Sequence, residues 1–158
     1  MRPARFQEFA LKALTAAPGI LSVEPWQDGT TRPNGLKVTL ATGAQVWPAI
    51  TAVSAPGEDY SQPEQPVEGE PLPDVPLPQL AGDKVKVTDV ELFLVAVLTN
   101  AGCREIAQVY GYSDRPSPNL HPGVGVEFHS GAKIHMGFVH AMSAGRSPGR
   151  PWDLPTAV

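Results

Sequence analysis

The chain has 158 residues, 42% of them hydrophobic, which suffices for one domain or for two small lobes that share a core. Its net charge of −4 argues against a protein whose main task is to neutralise nucleic-acid phosphates, and its single cysteine excludes an internal disulfide. No segment approaches the ~20 apolar residues of a membrane-spanning helix, and the first residues lack the apolar core of a secretion signal. We therefore expect a soluble protein, located in the cytoplasm or, if it derives from a bacteriophage, in the virion.

The first predicted element is a helix over residues 3–17, followed by a short strand over residues 20–24. Apolar side chains recur in the helix at spacings of three and four residues and form one stripe, and Pro18 and Gly19 then end the pattern. A stripe of this kind packs against a core. It consists of Phe6, Phe9, Ala10, Ala13, Leu14 and Ala17.

A β-hairpin is predicted over residues 35–50. A three-residue loop that ends in Gly43 sets Val38 opposite Val46 and keeps the apolar residues on one face of the hairpin. Pro48 has no amide hydrogen to donate to a neighbouring strand, so we expect it at a sheet edge or at a strand end.

Residues 54–83 contain seven of the 16 acidic residues, seven prolines and none of the 12 Lys and Arg residues. Such a segment forms neither a helix nor a central strand, and we predict an extended, acidic, proline-rich linker. The rest of the chain carries 12 basic against nine acidic residues and is therefore mildly basic. Two interpretations stay open: the linker is a solvated spacer, or it is an acidic strap across a basic surface of its own chain or of a partner.

The second predicted helix begins with Thr88 and ends just before Gly102. Thr88 and Glu91 have the spacing of a capping box, in which the two side chains bond the free amides at a helix start. Both sides of this helix are apolar, which predicts cover on both faces, by the first helix or by a partner chain. The core stripe is Val90, Phe93, Leu94, Val97, Leu98 and Ala101, and the opposite side carries Leu92, Val95 and Ala96.

A strand over residues 105–110 and a second hairpin over residues 123–138 follow. A three-residue loop that ends in Gly131 places the apolar residues of this hairpin on one face and an opposite-charge pair on the other. Residues 145–158 show no periodicity, and we expect this tail to be disordered unless it docks. The predicted pairs across the hairpin are Val124–Met136, Val126–Ile134 and Glu127–Lys133.

The two hairpins align at an offset of 88 residues, and the strands and helices before them align at offsets of 86 and 84. Helix, strand and hairpin thus follow each other in the same order in both halves. This order predicts an α+β fold made of an internally duplicated α-β-β-β unit. Two units build either one antiparallel sheet of about six strands with both helices on one face, or two three-stranded lobes. The predicted boundaries are 1–53 for the first unit, 54–83 for the linker, 84–144 for the second unit and 145–158 for a flexible tail. The identities in the hairpins are Gly35/Gly123, Val38/Val126, Gly43/Gly131 and Ala44/Ala132.

No motif indicates a catalytic, cofactor-binding or metal-binding site. The four histidines all lie in the second unit, without the spacing of a helical metal pair and without a neighbouring group of Cys or acidic residues. The glycines of residues 123–125 lead into a strand and not into a helix, so they do not form a phosphate-binding loop. Cys103 follows a helix end and is expected to be a small packing residue. We expect histidines at the surface or at an interface, no cofactor and no enzymatic activity.

Aromatic residues outside the core give the strongest functional indication. Trp47 falls on the outer face of its hairpin, and Trp26 and Tyr112 each leave a strand two residues before an aspartate. Together with Leu92 and Val95 on the second helix, they form the candidate interaction surface.

We therefore expect a non-catalytic protein–protein interaction or assembly module that binds a protein partner or a second copy of itself. Its Ala-, Gly- and Pro-rich composition suggests a structural or accessory protein of a bacteriophage or mobile element in a GC-rich bacterium. The alternative is a small nucleic-acid-binding or regulatory protein in which the acidic linker is autoinhibitory.

Overall fold

The computed structural model describes residues 1–80, 82, 84–115 and 121–158. Its six strands form one antiparallel sheet in the order β1-β2-β3-β6-β5-β4, which confirms the α+β class and the single-sheet arrangement. A 3-10 turn, Tyr112–Asp114, follows β4. The helices are α1 (Pro3–Thr15) and α2 (Val87–Thr99), and the strands are β1 (Ile20–Pro25), β2 (Leu36–Leu40), β3 (Gln45–Val53), β4 (Ile106–Gly111), β5 (Gly123–Phe128) and β6 (Lys133–Met142).

Both helices pack against one face of the sheet and enclose one apolar core. Phe6 of α1 meets Phe128 of β5 edge to face, with ring centroids 6.2 Å apart, so the first helix reaches strands of the second half. We call the other side, which no helix among the described residues covers, the open face of the sheet. The largest fully buried side chains come from both halves: Phe6, Leu14, Leu36, Leu40, Ile50, Phe93, Leu94, Leu98, Ile106, Ile134, Met136 and Phe138.

The predicted registers of both hairpins are confirmed. Val38 lies opposite Val46, and the second hairpin has the three predicted pairs. Gly43 and Gly131 adopt φ angles of 81° and 85°, the left-handed conformation that ends a three-residue hairpin loop and that favours glycine.

The prediction for Pro48 is wrong. β3 is a central strand, between β2 and β6, and Pro48 lies well inside it. The pairing between β3 and β6 shifts by one residue between Trp47 and Pro48. A bulge is the one place in a central strand that tolerates the missing amide hydrogen of a proline, and the sequence of the hairpin alone does not reveal it.

The predicted capping box at Thr88 is also wrong. α2 begins at Val87, and no side chain caps its start. The amide of Val87 instead donates to the carbonyl of Thr156, 3.0 Å away, so the C-terminal segment satisfies this end of the helix. Glu91 faces inward and is fully buried.

The C-terminal segment docks on the body of the molecule. Val158 is buried, and it exchanges two backbone hydrogen bonds of 2.7 and 2.8 Å with Val85. The amide of Trp152 donates to the carbonyl of Val139 on β6 at 2.8 Å. These bonds hold the segment in place from residue 152 onward.

Residues 54–80, which we call the linker segment, contain neither a helix nor a strand. Arg2 bonds Glu58 at 2.8 Å, and the Arg5 guanidinium contacts both Glu64, at 2.8 Å, and Glu105, at 2.6 Å. The linker segment therefore lies against the start of α1. Its apolar residues Leu72, Leu77 and Leu80 pack against the core.

Candidate functional site

Two tryptophans and a histidine meet on the open face. Trp26 directly follows β1 and Trp47 lies on β3, and their ring centroids are 5.7 Å apart. His140, opposite Trp47 on β6, is 5.4 Å from the Trp47 ring and 6.0 Å from the Trp26 ring. The ammonium group of Lys37 lies 5.7 Å from the Trp47 ring centre, and the Trp47 indole N–H donates to Gln45. We call Trp26, Trp47 and His140 the tryptophan cluster.

A second aromatic group lies on the β4–β5 side of the same face. The Tyr110 and Tyr112 ring centroids are 6.4 Å apart, and the Arg115 guanidinium stacks on them at 4.8 and 4.1 Å. The Tyr112 hydroxyl lies 2.9 Å from Nδ1 of His135 on β6. We call these four residues the tyrosine cluster.

Glycines beneath the rings let both clusters lie flat on the sheet. A Cβ atom at Gly35 would come within 2.7 Å of the Trp26 ring, and one at Gly123 within 2.8 Å of the Tyr112 ring. A Cβ atom at Gly125 would overlap a tyrosine ring of the second cluster. Rings packed on strand glycines protect the backbone that the missing side chains leave exposed.

A cavity of about 540 Å³ opens between the two clusters. Its floor is formed by Ala49 of β3 and Gly137 of β6, which face each other across the central strand pair. The indole ring of Trp152 stands over this floor, because a Cβ atom at Gly137 would lie 3.2 Å from it. We call this cavity the axial cleft; its walls are Thr31, Arg32, Thr51, Tyr112, His121, His135 and Trp152.

Burial sets the protonation of the Tyr112–His135 pair. Burial raises the pKa of Tyr112 to about 12, so its hydroxyl keeps its proton at neutral pH. Burial, and after it the positive charges of Arg115 and Lys133, lowers the pKa of His135 below 6.5, although Glu127 opposes the shift. At neutral pH, therefore, His135 is uncharged, and its Nδ1 atom shares one hydrogen bond with the protonated Tyr112 hydroxyl.

His140 is also held in its neutral form. Burial, followed by the charge of Arg32, lowers its pKa below 6.5. Its Nδ1 atom is buried and has no hydrogen-bond partner among the described residues. Protonation would place a hydrogen on this buried Nδ1 atom, which has no acceptor among the described residues.

The structure brings three of the five predicted surface residues to one face. Trp26 and Trp47 touch each other, and Tyr112 lies on the same face but is only 5% exposed. Leu92, 40% exposed, and the half-buried Val95 lie on α2, on the other side of the sheet.

Sequence reasoning missed Trp152 and Arg32, which wall the axial cleft from two loops far apart in the chain. A usable signal was the run of glycines at alternating positions, Gly123 and Gly125, because such a strand leaves room for rings on one face.

Within the described ranges, no group of three or more His, Cys, Asp or Glu side chains is placed to hold a metal ion. No helix in the part of the chain that the structure describes is long and apolar enough to cross a membrane. Comparisons with protein-family models, with curated proteins and with solved structures found no match to this chain.

Proposed function

We propose that this protein is a non-catalytic protein-binding module and that it binds its partner on the open face of the sheet. The observation that carries the proposal is the pair of aromatic clusters on that face. Rings of this kind offer large contact area at low cost in side-chain entropy. Trp26, Trp47 and Tyr110 are half-buried and present part of their rings to solvent, whereas Tyr112 is buried. In the tyrosine cluster the polar atoms are paired with each other, Tyr112 with His135 and Arg115 with Tyr110, which suits a recognition surface more than a reactive one.

We further propose that the fold arose by internal duplication, and corresponding details of the two halves support this. β1 and β4 each carry an irregularity at the same place relative to their partner strands, after Ile20 and after Ile106. These two residues are 86 positions apart, the offset at which the two strands align. Independent origins do not predict the same irregularity at the same position.

The central strand pair gives the most specific support. At the hairpin offset of 88, Ala49 corresponds to Gly137, and these two residues are also each other's partners across β3 and β6. Likewise Ile50 pairs with Met136 while Pro48 pairs with Phe138, so the equivalent positions exchange. This self-complementary register is what a two-fold symmetric dimer interface requires.

The open face follows the same symmetry, which links the duplication to the proposed function. Trp26 corresponds to Tyr112 at offset 86, and both rings lie on equivalent glycines. Trp47 corresponds to His135 at offset 88, and each contacts the aromatic ring of its own half. An aromatic contact pair thus stands on the open face in both halves.

A library of displayed random peptides, panned against the full chain, tests the proposal. We expect enriched peptides that bind the wild-type protein and lose at least about tenfold in affinity on Trp47→Gln, the scale of one lost aromatic anchor. Leu92→Gln, on the other side of the sheet, is the matched control and should leave binding unchanged. No enrichment, or peptides that respond only to Leu92→Gln, would contradict an open-face site.

Light scattering decides whether the partner is a second copy. If the wild type self-associates and Trp47→Gln is a monomer, the open face is the interface between copies. If Leu92→Glu/Val95→Glu gives the soluble monomer instead, α2 is the assembly surface and the open-face proposal loses its support.

A nucleic-acid-binding function with an autoinhibitory linker is the second candidate. The observation that favours it is the pairing of linker carboxylates with basic residues: Glu58 with Arg2, Glu64 with Arg5 and Glu68 with Arg104. Glu58→Gln/Glu64→Gln/Glu68→Gln would then release salt-sensitive nucleic-acid binding. Glu70→Gln/Asp74→Asn removes acidic charge from the same segment and is the control, and no binding of the triple variant at low salt would exclude this candidate. The setting in a bacteriophage or mobile element stays a prediction from composition.

A further inference from the structure

We propose that the axial cleft binds a small planar organic anion, such as an aromatic carboxylate. This inference goes beyond the protein-binding function and does not depend on it. At about 540 Å³ the cavity has the size of a small-molecule site, typically roughly 300–1,000 Å³.

The charge of the cleft selects an anion. No Asp or Glu is among the described residues that line it, whereas Arg32 brings a permanent positive charge. Arg32 is held by an ion pair with Asp28 and by two backbone hydrogen bonds between the same residues, of 2.9 and 3.2 Å. Asp28 is more than half exposed, so a ligand carboxylate can share the guanidinium, which has five N–H donors in a fixed planar fork.

The polar wall offers further donors. An uncharged His135 whose Nδ1 accepts from Tyr112 carries its proton on Nε2, and this tautomer presents a donor to the cleft. The hydroxyls of Thr31 and Thr51 also line the cavity and donate or accept. A carboxylate, which only accepts, satisfies this set better than a neutral polar group does.

The shape of the cleft selects a flat ligand. Trp152 has a φ angle of 69°, a left-handed conformation that is strained for a bulky side chain. The strain is maintained by the bond from its amide to Val139, and it places the indole over Gly137. The His121 ring lies 5.5 Å from the indole, so two rings form one wall. Strain retained beside a cavity points to a binding role, and an aromatic ligand can stack on these rings.

The position of the cleft fits a ligand site between two structural units. The small residues Ala49 and Gly137 keep the floor low where the two halves meet, and each half supplies one wall: Arg32 from the first and His135 from the second. Ligand sites occur preferentially at such junctions.

Nuclear magnetic resonance titration of the full chain with benzoate tests the inference, with benzamide as a neutral probe of nearly the same shape. We expect saturable benzoate shifts at the Trp152 indole and the His135 ring, with an affinity at least about tenfold above that of benzamide, the scale of one charge-assisted contact. Arg32→Gln should weaken benzoate binding by about the same factor. Lys37→Gln, which removes a positive charge beside the tryptophan cluster, should change it by less than about twofold.

Thr51→Phe gives a second route to the same conclusion, because Thr51 is exposed and a phenyl ring there fills the cleft without entering the core. It should abolish the benzoate shifts even if Arg32→Gln disturbs its loop. The inference is overturned if the shifts do not saturate, if benzamide produces them equally, or if both cleft variants bind benzoate like the wild type.

Discussion

A fully buried carboxylate such as that of Glu91 costs free energy unless its oxygens find donors. Its Oε1 accepts from the amide of Ser113 at 2.8 Å, and its Oε2 accepts from the amide of Gly123 at 2.7 Å. The side chain therefore fastens α2 to the end of β4 and the start of β5. Gln7 of α1, which the proposed duplication aligns with Glu91, donates to the carbonyl of Gly35 at 3.1 Å, just before β2.

We expect Glu91→Gln to lower the free energy of unfolding by ~1–3 kcal/mol, because one acceptor oxygen is replaced by an amide NH2 donor that faces a backbone N–H. Asp89→Asn, an exposed change on the same helix, should cost less than ~0.5 kcal/mol. Chemical denaturation of the two variants compares them directly. Equal stability of both would show that the two bonds of Glu91 contribute nothing.

The histidines of the open face make stability depend on pH. The pKa values of His135 and His140 are both lowered from 6.5, so below that pH the unfolded chain binds protons that the folded chain does not. Stability is therefore expected to fall as the pH drops below 6.5.

Denaturation midpoints between pH 7.5 and 5 measure this slope. His135→Gln, whose amide group can donate to or accept from the Tyr112 hydroxyl, should make the slope shallower. His129→Gln in the exposed hairpin loop should leave it unchanged. A slope that is the same in the wild type and in His135→Gln would mean that His135 does not contribute.

Ion pairs hold the linker segment against the start of α1. Glu64 lies in the middle of the contact with α1, since its carboxylate bonds Arg5 and the backbone amide of Arg2. The Arg5 hydrogen bond is the main reason that the pKa of Glu64 falls from 4.5 to about 2. A lowered carboxylate pKa contributes stability above pH 4.5, and this contribution is lost as the pH falls towards 2.

We expect Glu64→Gln to increase hydrogen exchange in residues 54–80 at neutral pH, and to reduce the loss of stability between pH 4.5 and 2. The effect on global stability should be small, about 1 kcal/mol or less, because the pairs are partly solvated. Glu70→Gln, an exposed carboxylate in the same segment, is the control. Unchanged exchange in Glu64→Gln would show that the contacts of Glu64 contribute nothing to holding the linker segment.

Local sequence patterns predicted the registers of the hairpins, but they did not predict the bulge at Pro48 or the start of α2, which depend on distant partners. The registers follow from the two-residue period and from Gly43 and Gly131, all within one short stretch of chain. The bulge at Pro48 depends on β6, and the start of α2 depends on Thr156, so neither is visible in its own neighbourhood. The axial cleft is hidden for the same reason, because its walls come from several separate segments.

A single apolar cluster crosses the central strand pair, so we expect the whole molecule to unfold as one cooperative unit. Fragments 1–53 and 84–158 each lose the apolar partners that the other half supplies, as Phe128 does for Phe6. We expect each fragment to be largely unfolded by circular dichroism, and an equimolar mixture to regain the spectrum of the full chain. A fragment that unfolds cooperatively as a monomer would show instead that the halves are independent domains.

The self-complementary pairing of Ala49 with Gly137 bears on how far the sequences of the two halves can diverge. In the duplication we propose, a half-length ancestor would have met its copy through this same register, and every substitution would have appeared twice in the assembly. Joining the copies on one chain makes their encounter intramolecular, with an effective concentration set by the connecting segment and not by expression level. Each copy is then free to acquire residues that the other lacks. The present chain, with all four histidines in its second half and two of its three tryptophans in its first, has the asymmetry that such freedom allows.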